Sequence, residues 1–157
     1  MANPMYGQNK ADNAIDVGSV VMVNADKTLK ASEAGSTVVM LDSAAKTIKL
    51  PSDCIDGMYF DFAYVAAAAE AHDITIDTQS DSRYFLGGLS ILDTDATADG
   101  AEALVPILPD GNSNSKVALK TVDNGTWFRM VYHGGIWYTY GQICSATAVA
   151  AVYADQS

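Results

Sequence analysis

Apolar residues recur along this chain in short alternating runs broken by Asp, Ser, Ala and Gly, the periodicity of strands that present two different faces. "GSVVMV" at 18–23, "TVVML" at 37–41, "TIKL" at 47–50 and "MYFDFAYV" at 58–65 are rich in β-branched or aromatic residues and bounded by turn formers. Pro51 ends one of these strands and Gly57 turns the chain into the next, which places Phe60 and Phe62 in a core. "DITIDT" at 73–78 sets Ile74 and Ile76 against polar neighbours, and "RYFLGGLSIL", "ALVPILP" and "KVALKTV" continue the pattern. "AAAAEAH" at 66–72 is the strongest helix-prone tract, but two turns need packing to persist, so it reads as a short helix or a loop crossing. The tail "SATAVAAVYAD" is an ambiguous second helical candidate.

The stretch 123–143, "DNGTWFRMVYHGGIWYTYGQI", reads as a turn at Asp123-Asn124-Gly125 followed by a hairpin about His133-Gly134-Gly135. Alternation groups Trp127, Arg129 and Val131 on one face and Phe128, Met130 and Tyr132 on the other. Both faces are largely apolar, so the hairpin is expected either inside a sandwich or under another chain. Short strands at this spacing predict an all-β fold, a small antiparallel β-sandwich or barrel with at most one short helix. The polar opening residues lack either periodicity, so 1–15 is expected to be an extended amino-terminal arm and 16–157 a single β domain.

Charge narrows the partners. The 157 residues carry 9 basic and 19 acidic side chains, a net charge of −10, which repels phosphate backbones and anionic lipid; neither nucleic acid nor membrane is an expected partner. The acidity is concentrated between Leu50 and Ser115, where Arg83 is the only base. Neutral ends could then dock while the acidic middle faces water. No apolar run has the length of a signal peptide or a span, so synthesis in a cytoplasm is expected. Cys54 and Cys144 have no local partner motif and read as buried free thiols.

Candidate chemistry is sparse. His72 and His133 lack zinc-ligand spacing, and His72 with Asp73 would point to opposite faces of a strand. Asp93, Asp95, Asp99 and Glu102 cluster as calcium ligands do, but the EF-hand register fails, because Ala98 stands at the obligatory Gly and Leu104 at the final Glu. That stretch reads as an acidic surface loop, and "DGNSNS" at 110–115 as a plain turn. Trp127, Trp137, Tyr138 and Tyr140 could form a sugar-stacking platform if they are exposed. No nucleophile elbow, P-loop or dinucleotide fingerprint occurs, and no catalytic residue, cofactor or metal is expected.

The order of these features, "TVVMLDSAAKTIKLPSDCIDGMYFDFAYV", "HDITIDT", "YFLGGLSI", "NGTWFRMVY" and "GGIWYTYG", resembles small β proteins of tailed-bacteriophage virions. The opening "MANPMYGQNKADNA" is similar to the arm of phage proteins that decorate capsids. The resemblance implies a capsid decoration or cement protein on the outer surface of the virion. Such a protein binds the major capsid protein and copies of itself, commonly as a homotrimer, and has no enzymatic activity. Pro4, Met5 and Tyr6 are then the expected capsid contacts, and Trp127, Phe128, Met130, Tyr132, Trp137 and Tyr138 the expected inter-subunit contacts. A tail or head-fibre component, or a glycan- or receptor-binding β module, is the alternative. A small hydrolase would instead need a concave pocket gathering a histidine with carboxylates.

Overall fold

Alternation sends every second side chain of the longer strands into a shared core. The computed structural model describes residues 19–69, 71–94, 104–145 and 153–156. In chain order the strands are β1 (Val20–Val23), β2 (Lys27–Thr28), β3 (Thr37–Met40), β4 (Lys46–Lys49), β5 (Tyr59–Tyr64), β6 (Ile74–Asp77), β7 (Phe85–Gly87), β8 (Leu89–Asp93), β9 (Leu104–Ile107), β10 (Lys116–Leu119), β11 (Val122–His133), β12 (Ile136–Ser145) and β13 (Tyr153–Ala154). The larger sheet runs β1-β3-β5-β11-β12-β8-β9, with β7 also on β12, and the smaller runs β13-β10-β6-β4-β2. The all-β class expected from the sequence is the observed one. Helical structure among the described residues is limited to the 3-10 turns Ala31–Glu33 and Asp81–Arg83. The described part of 66–72 is a loop, and the described end of the tail is strand β13, not helix.

The pairing differs from the antiparallel expectation, for the sheets are mixed. Strands β1, β3 and β5 are parallel neighbours in one sheet, as are β2, β4 and β6 in the other. A parallel pair needs a crossover, and here the crossover is a strand of the opposite sheet, so the chain winds as a coil. The coil steps from residue 20 to 37 to 61 in one sheet and from 27 to 48 to 76 in the other. Steps this unequal leave no repeat to see in the sequence. From β10 onward the chain pairs antiparallel with β6, β13 and β5 and within the β11–β12 hairpin, while β12 keeps parallel contacts to β7 and β8.

Both sheets contribute to one core. In the larger sheet Val21, Val38, Phe62, Phe128 and Gly141 lie in register across five strands, and the Phe62 and Phe128 rings stack with centroids 4.9 Å apart. A Cβ at Gly141 would come within 2.4 Å of Phe128 Cα, and its φ of 142° is one that side chains rarely adopt, so glycine is required. In the smaller sheet Ile48, Ile76, Val117 and Tyr153 form the matching row. The tip glycines Gly134 and Gly135 both have positive φ, as a two-residue hairpin turn demands. Asp123-Asn124-Gly125 is not the expected turn. It forms a bulge inside β11, and the Asn124 side chain ties it to the Ala66 backbone at 2.8 and 3.1 Å.

Strand β13 is held by more than its two-residue ladder. The Tyr153 ring packs on Phe85 across the core, and its hydroxyl shares a 2.7 Å hydrogen bond with Thr139 of the larger sheet. Beside it Asp155 accepts from Ser113 and Asn114, and the Gln156 amide donates to Asp77 and Ser115. Burial pushes the Tyr153 phenol up to about 12 from an ordinary value of 10.0.

Two outcomes follow from this packing. Gly141→Ala is expected to lower stability by roughly 3 kcal/mol, the cost of overpacking added to backbone strain, read as an earlier urea midpoint. The folded chain holds the Tyr153 proton more tightly than the unfolded chain does, so this phenol costs nothing below pH 10. Between pH 10 and about 12 stability falls as pH rises, because only the unfolded state ionises. A tyrosinate absorbance titration should show a late phenol that Tyr153→Phe removes.

Candidate interaction surface

The outward side of the larger sheet is the distinctive surface. Because alternation commits Phe128, Met130 and Trp137 to the core, their neighbours Trp127, Arg129, Tyr138 and Tyr140 must face away from it. Three rows cross the strands in register. Met22, Val39, Ala63 and Trp127 form an apolar row; Val20, Thr37, Asp61, Arg129 and Tyr140 form the next; Tyr59, Val131 and Tyr138 form the third. Met22 is 58% exposed, Val20 55%, Trp127 52% and Tyr140 47%, so large apolar groups stand in solvent together.

The charges on this face cancel. Arg129 grips Asp61 through two bonds, Nε to Oδ1 at 2.5 Å and Nη2 to Oδ2 at 2.6 Å, and its guanidinium lies 4.5 Å from the Tyr59 ring centroid. The Asp61 hydrogen bonds hold Arg129 firmly in its charged form. A chain with a net charge of −10 thus presents three rows of one face whose only ions neutralise each other.

A cavity of about 580 Å³ opens at one end of this face. Ala31, Ala34, Ile55, Met58 and Tyr59 line it with Asp53 and Asp56. Asp56 also accepts from the Gly134 N–H at 2.9 Å and pairs with His133 at 3.1 Å, which ties the hairpin tip to the cavity wall.

The expected inter-subunit residues divide accordingly. Phe128, Met130 and Trp137 are fully buried in the chain's own core, which corrects their assignment to a partner; Trp127 and Tyr138 are exposed and Tyr132 is half-buried. Of the four possible sugar-stacking residues, Trp127, Tyr138 and Tyr140 share the outward face, and Trp137 packs between Phe60 and Tyr132. Pro4, Met5 and Tyr6 lie outside the described residues, as do Asp95, Asp99 and Glu102.

The other chemical candidates are scattered. His72 and His133 are both exposed, and no three His, Cys, Asp or Glu among the described residues are grouped to hold a metal. Asp110 spends its carboxylate on the N–H groups of Asn112, Ser113 and Asn114, which lowers it to about 2 and makes 110–115 a structural turn. Cys54 is half-buried and bonded to the Pro51 carbonyl, Cys144 is buried, and burial raises both thiols. No protein-family model, curated protein or solved structure matches the chain.

Sequence reasoning placed Trp127 and Arg129 on one face but missed what they meet. Met22, Tyr59 and Asp61 join them only through the strand order. A double-mutant cycle of Arg129→Met and Asp61→Asn is expected to give a coupling of about 1 kcal/mol in low salt, decreasing as salt is added, since both side chains are partly solvated.

Proposed function

We propose that this chain is a structural protein of a tailed-bacteriophage virion, a capsid decoration or cement protein bound to the outer capsid surface. The outward face of the larger sheet, whose Trp127 and Tyr138 the resemblance assigns to contact between subunits, is in this reading the docking face toward the major capsid protein, and the protein acts as a homotrimer made in the host cytoplasm. The observation that carries this reading is the exposed set Met22, Trp127, Tyr138 and Tyr140 around the neutralised Arg129–Asp61 pair. Trp, Tyr and Arg are the side chains that dominate binding energy at protein interfaces, and a central pair already neutralised within the chain needs no counter-charge from the partner. The resemblance of the strand and turn order to phage virion proteins supplies the identity of that partner. Mechanically, many modest contacts repeated over a symmetric shell hold the protein by avidity, and each copy in turn ties the subunits it touches.

The exposure of three aromatics on one face also favours a second reading, a glycan-binding module of a tail or head fibre. Co-sedimentation with undecorated capsids separates the two. On the cement reading the protein pellets with shells, and Trp127→Asp with Tyr138→Asp lowers occupancy at least about tenfold, the effect of losing roughly 1.4 kcal/mol. Thermal stability should change little, because both positions face solvent. Failure to pellet, together with retention on host polysaccharide that Trp127→Ala abolishes, would replace the cement reading with the fibre reading.

A further inference from the structure

We propose that the cavity beside Tyr59 receives the amino-terminal end of a second copy of this chain, with Pro4, Met5 and Tyr6 as the inserted residues. The inference moves these three residues from the capsid contact that the resemblance implies to a contact between copies, and it does not rest on the capsid-binding reading. A volume of about 580 Å³ is in the range that holds a ligand of several side chains. The lining residues Ala31, Ala34, Ile55, Met58 and Tyr59 are suited to apolar groups, and Ile55 is left 71% exposed. Asp53 and Asp56 add negative charge to the same wall.

The occupant follows from where the chain enters the fold and from its charges. The Ser19 carbonyl accepts from the Thr37 N–H at 2.9 Å, two residues beyond Gly35, itself part of the cavity wall. Residues 1–18 therefore join the fold at the edge of the cavity. Within them the first ten carry Lys10 and no acid, and the next eight carry Asp12 and Asp16. The first ten residues complement Asp53 and Asp56 in charge and contain Pro4, Met5 and Tyr6 as apolar groups. The residues that precede Ser19 in the sequence, by contrast, hold two acids, the same sign of charge as the wall. From Ser19 back to Tyr6 an extended chain reaches roughly 45 Å, far enough to meet a neighbouring copy. The cationic end thus seats in the next subunit. Each copy then gives one arm and receives one, and the exchange forms a ring where the rotation between copies closes.

The test uses the full chain with p-benzoylphenylalanine in place of Tyr6, irradiated in solution without capsids. The expected product has twice the chain mass and a cross-link within residues 31–35 or 53–59, the two segments of the cavity wall. A cross-link to the same residues at single-chain mass would overturn donation between copies, and a cross-link elsewhere or none would overturn the cavity as the seat. Ile55→Arg, placed where the side chain is already exposed, should abolish the double-mass product while leaving the circular dichroism unchanged; persistence of the product would count against the proposal. Because no capsid is present, these outcomes are independent of shell binding.

Discussion

The close approach of Phe128 to Gly141 fixes the larger sheet. With no Cβ at 141, the hairpin strands come together so that Phe128 fills the inward side and stacks on Phe62 of β5. The first half of the chain, wound as a parallel coil, is thereby joined to the antiparallel half at a central strand with partners on both edges. Once Phe128 is inside, strand geometry allows no choice for its neighbours. Trp127 and Arg129 must face outward, and the register then aligns them with Ala63 and Asp61, and through β3 and β1 with Val39 and Met22.

That necessity gives the protein a surface unlike its overall composition. Acidic side chains dominate the middle of the sequence, yet the three rows on the outward face contain one acid, and a bidentate arginine neutralises it. Solvent-facing strands ordinarily alternate apolar inside with polar outside. Here the outer positions hold Met, Val, Trp and Tyr, whose apolar surface gains by meeting another apolar surface. The polar machinery elsewhere serves the fold. The Asp110 turn and the Asp155 and Gln156 bonds fasten the last strand, and Asp56 fastens the hairpin tip.

Most strands were legible because the period of two is a local signal that survives any topology. The hairpin tip was legible for the same reason, since consecutive glycines suit its positive φ angles. The coil was not, because parallel pairing of β1 with β3 and of β2 with β4 depends on connections of unequal length and has no mark in either strand. Asp123-Asn124-Gly125 misled because a tight-turn sequence also suits a bulge, and the partner that decides between them, Ala66, lies far away in sequence. Alternation separated Trp127 from Phe128 but could not say which was inside. Arg129 on the Trp127 side was the available hint, since a charge is costly to bury. Two-residue strands such as β2 and β13 are too short to have a period at all.

Hydroxyl-radical footprinting of the protein free and bound to capsids, read residue by residue by mass spectrometry, tests the central claim most directly. The account predicts rapid oxidation of Met22, Trp127, Tyr138 and Tyr140 in the free protein, protection of those four on the shell, and slow oxidation of Trp137 and Met130 in both states. Unchanged oxidation of Met22, Trp127, Tyr138 and Tyr140 in shell-bound protein would contradict it.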